Sequence, residues 1–251
     1  MRLLAHELKG QVRLYVRSRE LAFFTFALPI IMFFLLGSVY GNDRIKAEGN
    51  VRGADYLLAG MLGYGAIATG FAGLSIMLVL RRENGILKRL RATPLPAWTY
   101  IAALLATTIL AYALEALAMI VLGRAVFDTH VRHAFSLALA LLLGIAAFTA
   151  LGLALTTVIK SGEGSSAVVN AVYLPASFIS GAFFSPHAFP GFLRAIADVL
   201  PLVYVIRLVR DVMLRGAEIW DRPGAVAVVA AWGIFGALVA ARRFRWEPRE
   251  G

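Results

Sequence analysis

Residues equipped for chemistry are sparse in this chain of 251 residues. It contains no cysteine, which excludes thiolate catalysis, disulfides and cysteine-ligated metals. His130 and His133 lie three residues apart beside Asp128, a spacing that suits a metal, but no third histidine is near and a solvated loop accounts for them better. Gly162-Glu163-Gly164-Ser165-Ser166 imitates a phosphate loop. It lacks the lysine of G-x-x-x-x-G-K-[ST], and no strand precedes it, so it reads as a turn. That leaves Glu115, the one acidic residue well inside an apolar run.

A carboxylate in hydrocarbon costs at least about 2.5–3.5 kcal/mol, so Glu115 is expected to face protein, water or a basic partner, or to be protonated. Two readings stand: it lines a transport path, or it makes a structural hydrogen bond to a neighbouring helix or to outer arginines. An intramembrane enzyme would need a nucleophile with its base, paired carboxylates or a metal cluster, and only Glu115 qualifies. None of the four histidines lies in an apolar run. An ion-coupled transporter usually places ionisable groups nearer the midplane than the outer half of the third run, where Glu115 falls.

The elements that must position these residues are membrane helices. The composition is 60% hydrophobic and 16% charged, well above the apolar share of a soluble domain. A helix needs on the order of 20 apolar residues to cross a bilayer. Such runs occur at residues 21–40, 57–80, 97–122, 135–159, 167–184 and 225–241. The first is too long for a secretory signal and lacks a small-x-small cleavage pattern, so it reads as an uncleaved anchor. Before it, Leu4, Leu8, Val12, Tyr15 and Val16 share one helical face and Lys9, Arg13 and Arg17 another, the pattern of an interfacial helix. The expected fold is an all-α integral membrane protein, a six-helix transmembrane bundle in one domain spanning residues 1–251.

The net charge of +10 would in a soluble protein raise nucleic acid as a partner. Here the basic residues flank apolar runs, so the expected partners are membrane lipids and not nucleic acid. The basic N-terminal segment, the Arg81 to Arg91 cluster and the tail bearing Arg242, Arg243, Arg245 and Arg249 fall on one side, which predicts both termini in the cytoplasm.

The segment from Arg81 to Pro96 joins the second and third runs. Ile86, Leu87 and Leu90 recur at helical spacing while Lys88, Arg89 and Arg91 point elsewhere, and Pro94 and Pro96 stop any helix from running on into the next span. A short amphipathic helix held between two spans can transmit a push, and it can equally be a positive-inside loop resting on anionic lipid. After the fifth run, residues 185–224 are too long for a turn. Their apolar, proline-punctuated part is too short to cross and predicts interfacial or re-entrant half-helices at about 185–205.

Two motifs carry a resemblance. Arg82, Glu83, Gly85, Leu87, Leu90, Thr93 and Pro94 are similar to the pattern R-E-x-G-T-L-x-x-L-x-x-T-P in the cytoplasmic loop of type-2 ATP-binding-cassette exporter permeases, with Ile86 in place of the usual threonine. Leu174-Pro175, Ser180-Gly181, Pro186, Pro190, Leu193, Pro201-Leu202, Tyr204 and Arg210 resemble that family's outer gate, with Arg207 where many members are acidic.

The resemblance implies a permease subunit whose coupling helix, about residues 82–93, docks on a separate ATPase. Leu87 and Leu90 would fill its groove, Arg82, Glu83 and Arg89 would make polar contacts around it, and Gly85 and Lys88 belong to the same loop. It implies an outer gate and substrate path at Gly181, Pro190, Pro201, Tyr204 and Arg210, to which the path reading of Glu115 adds. ATP and Mg would sit on the partner ATPase, with no cofactor in this chain. A second permease copy would complete the path in the cell inner membrane, and exported substrates in the family include drugs, antibiotics, lipids and glycan precursors.

Overall fold

The computed structural model describes residues 9–11, 23, 27–93, 96–183, 189–244 and 246–247. The expected interfacial helix lies almost wholly outside these residues, as do the start of the first run, Pro94 and Pro186. Residues 9–11 are helical.

The described residues are mostly helical. Helix α1 is Leu28–Tyr40, and a two-stranded hairpin follows, β1 (Arg44–Ile45) against β2 (Val51–Arg52), with Arg44 opposite Arg52. Helix α2 is Gly53–Glu83, α3 Ile86–Arg91, α4 Ala97–Phe127 and α5 Ala134–Thr156. After these come α6 (Ser165–Ile179), α7 (Gly191–Ala197), α8 (Pro201–Leu214) and α9 (Pro223–Arg243). Among the described residues four helices, α2, α4, α5 and α9, are long and apolar enough to cross a membrane; α1 and α6 are shorter apolar helices.

Helix α2 is the hub, buried nearly all round, with α1, α4, α5 and α8 packed on it. In a membrane, close packing replaces the hydrophobic drive, so a central helix needs small residues. The Cβ positions of Gly60, Gly63, Gly65 and Gly70 fall within 3 Å of the Ala182 carbonyl, Ile206, the Glu115 carboxylate and Ile145 in turn. These four glycines of the second run are therefore close-approach points inside one chain. From Ala68 to Gly73 the helix widens to a π-helix, which shifts its register midway.

Helix α9 differs: it lies along α5, with Gly233 and Gly236 against Ala147 and Ala150, and otherwise exposes an apolar surface bearing Ile234, Phe235 and Leu238. On a chain read as a membrane protein, that surface faces lipid or another subunit.

The segment after α6 departs from the expected extent. The second half-helix runs to Leu214, because Val205, Ile206, Leu208, Val209, Val212 and Met213 continue a buried face past residue 205. Its Val205 packs at Gly144, near the middle of α5, so α8 starts well inside the bundle and climbs outward.

Candidate functional site

At the basic end, α2 closes with Arg81, Arg82 and Glu83, and the chain reverses at Asn84-Gly85. Gly85 has φ +68°, the left-handed region that glycine enters without a Cβ penalty, so the short α3 starts in a new direction. The helix is therefore confined to Ile86–Arg91 and excludes Arg82 and Glu83. Thr93 Oγ1 donates to the Leu90 carbonyl at 2.6 Å and closes its last turn.

Arg82 is only 2% exposed. Its guanidinium donates to the carbonyls of Thr156 (2.9 Å) and Ile159 (2.8 Å), and its Nε lies 3.1 Å from Glu83 Oε1. Those carbonyls belong to the unpaired last turn of α5 and the chain just beyond it, so one side chain ties the end of α2 to the end of α5. Arg81 donates to Gln11 Oε1 at 2.6 Å and to the Tyr100 hydroxyl at 3.1 Å, which brings the N-terminal segment and α4 into the same junction.

The contacts expected of this loop are redistributed. Leu87, expected to fill a partner's groove, is 1% exposed and packs among Leu74, Leu78, Tyr100 and Leu104 of its own chain, with Leu90 beside it. Arg82 is likewise committed internally. The surface left to a partner includes Ile86, 42% exposed, with Lys88, Arg89 and Arg91, while Glu83 and Gly85 are half-buried at its margin. The reason is geometric: a six-residue helix has one inward face, and Leu87 and Leu90, at i and i+3, define it. Ile86 shares the apolar pattern with Leu87 and Leu90 in the sequence, but it stands at the edge of the inward face, at the first position of the helix, and is left exposed there.

At the opposite end, the motif residues come together. Arg210 Nη2 donates to the Gly181 carbonyl at 2.5 Å, and its guanidinium lies 3.5 Å from the centre of the Tyr56 ring on α2. Arg210 is 7% exposed, so this cation–π contact is desolvated. Pro190 precedes α7 and Pro201 opens α8, each where a missing N–H costs no helical bond. The Tyr204 hydroxyl donates to the Asp198 carbonyl at 2.8 Å. Arg207 stacks on Tyr204 and binds Asp198 at 2.6 Å, so its partner is the turn between α7 and α8 and not Arg210.

A cluster that sequence reading missed fixes the end of α8. Asp211 binds Arg215, just past the end of its own helix, and Arg222 before α9 at 2.7 Å, while Arg215 reaches toward Glu48 at 3.8 Å. The i,i+4 spacing of Asp211 and Arg215 was the available signal.

Glu115 is fully buried, and Thr69 Oγ1 donates to its Oε2 at 2.9 Å. Among the described residues Oε1 has no hydrogen-bond partner, and it lies 2.4 Å from where a Cβ on Gly65 would be. One turn away, the Tyr112 hydroxyl donates to the Leu62 carbonyl at 2.7 Å. Helix α4 continues to Phe127, beyond the expected end at 122, which puts Glu115 only three residues past the helix midpoint, on the side of Phe127. Thr69 stands in the π-helical stretch of α2. The carboxyl is thus enclosed between two helices of one chain, and the outer arginines are elsewhere.

The family model for the ABC-2 type transporter matches residues 3–214. A search of curated proteins returns no match. The matched stretch includes the α3 junction, Glu115 and the Arg210–Gly181 contact. With that stretch covering most of the chain and four apolar helices of spanning length, the chain belongs to the ABC-2 family as a multi-pass membrane permease, a transport component whose family works with an ABC ATPase.

Proposed function

We propose that this chain is the permease subunit of an ATP-driven exporter, in which a separate cytoplasmic ATPase docks on α3 and drives movement of an amphipathic or lipid-like substrate out of the cell. The observation that carries the reading is the division of labour around α3. Leu87 and Arg82 fasten it to three helices of the bundle, while Ile86, Lys88 and Arg89 stand free for a partner. A push on that small surface reaches α2 and α5 without passing through a flexible joint.

In this reading both termini and α3 are cytoplasmic, the first and fifth apolar runs complete six spans, and two permease copies enclose the path. The segment held by Arg210 forms the outer gate. Glu115 braces α4 against the π-helical turn of α2. The ion-coupled alternative would make Glu115 the ion carrier, and its enclosure between two helices favours the bracing role.

The test is co-expression with a candidate ABC ATPase from the same genome, capture through a tag on the permease alone, and comparison with Ile86→Asp plus Arg89→Glu. Co-capture with the unsubstituted chain and release by the pair supports the docking surface. A complex that survives the pair, or no complex in any detergent or lipid, would overturn it.

A further inference from the structure

Helices α4 and α9 each pack on α5 and leave between them an apolar groove of about 440 Å³ at the basic end. Its floor is made of small residues, Ala146 and Ala150, and its rim of Ala237 and Ala241, both exposed. Thr149 is the one hydroxyl in the lining, and it is spent on the Ile145 carbonyl at 2.6 Å. Phe244 and Trp246 wall the groove past the end of α9, where Trp246 also lies against Tyr100.

Along α4 the groove extends from Ile101 to Ile109. Eight residues at 1.5 Å each give about 12 Å, close to the depth of one leaflet, about 15 Å. Between Ala241 and Phe244 of the lining, the exposed Arg242 and Arg243 end α9, and among the described residues no carboxylate pairs with either. A surface that is apolar for one leaflet's depth, then aromatic, then doubly cationic matches a lipid of the same layering. We propose that this groove is a binding site for one anionic glycerophospholipid, an acyl chain lying between α4 and α9 and the phosphate meeting Arg242 and Arg243. The alanines make room for the chain, and the arginines select the headgroup.

The full-length protein, equilibrated with equal amounts of phosphatidylglycerol and phosphatidylcholine of matched acyl chains, can be stripped of bulk lipid and weighed intact by native mass spectrometry. Each arginine near an anionic surface contributes roughly fivefold, so the unsubstituted protein is expected to retain phosphatidylglycerol in excess of about tenfold. Arg242→Gln plus Arg243→Gln, a surface change that leaves the packing alone, should bring the two lipids to near parity. Ala237→Phe plus Ala241→Phe should expel the retained lipid whatever its headgroup, with size-exclusion elution unchanged. Equal retention of the two lipids by the unsubstituted protein would overturn the proposal. So would full retention in the filled groove, or a filled groove that changes the oligomeric state at constant lipid, which would assign the surface to a second copy.

Discussion

Arg82 donates to the carbonyl of Ile159 at 2.8 Å, joining the end of α2 to the chain just beyond α5 across a gap of 77 residues in sequence. The guanidinium meets this carbonyl and that of Thr156 with two donors held in one rigid fork, a geometry that the point charge of a lysine ammonium does not fix. Arg82→Met should therefore lower stability by about 1.5–3 kcal/mol for each charge-assisted bond lost, and Arg82→Lys should recover only part of it. Thermal unfolding of the purified permease checks this, and an unchanged midpoint for Arg82→Met would refute the junction.

Neighbouring residues on α3 should behave oppositely. Leu87→Ala removes a fully buried side chain and should cost about 2–5 kcal/mol, visible as a lower melting temperature without the ATPase. Ile86→Ala, at an exposed position, should stay within about 0.5 kcal/mol and act only on ATPase binding. Equal destabilisation by the two would mean that α3 is not seated as described.

Gly65 and Glu115 are coupled by space. A methyl group at Gly65 would meet the carboxylate, so Gly65→Ala should destabilise the chain in the presence of Glu115 and much less beside Glu115→Ala. Contacting pairs of this kind show interaction energies of about 0.5–3 kcal/mol in a double-mutant cycle. Additive effects of the two changes would remove the contact from the account.

Glu115→Gln keeps an oxygen for Thr69 to bond, so the bracing role requires assembly and transport to survive it. Transport abolished by Glu115→Gln with melting and ATPase binding intact would instead make the carboxyl a working group of the path.

At the opposite end, Arg210→Met deletes both the bond to Gly181 and the contact with Tyr56. A desolvated cation–π contact alone is worth about 2 kcal/mol, so a loss of at least that size is expected, together with faster proteolysis between α6 and α8. Tyr56→Leu should reproduce part of it, and a protease pattern identical to that of the unsubstituted chain would count against a gate held by Arg210.

Much of this architecture was legible in the residues. Apolar run length located α2, α4, α5 and α9, because the bilayer fixes how many residues a span needs. Boundaries erred at the helix ends: residues 53–56 and 123–127 are helical yet flank charged loops, where hydropathy and helicity part company. The joining of Gly181 to Arg210 followed the motif order, but Tyr56 was invisible, since no local pattern says which ring of α2 faces a residue on α8. Likewise, alternation of Ile86, Leu87 and Leu90 announced an amphipathic helix without saying which side its apolar face was for. That depended on Tyr100 and Leu104 arriving from α4 to bury Leu87.

The absence of native cysteine makes the central claim open to a direct measurement, because any introduced thiol is unique. Ile86→Cys and Leu87→Cys would each be exposed to a membrane-impermeant maleimide, on the permease alone and after addition of its ATPase. The account requires rapid labelling at position 86 that the ATPase suppresses, and slow labelling at position 87 in both conditions. Rapid labelling at position 87, or labelling at position 86 that is indifferent to the ATPase, would contradict it.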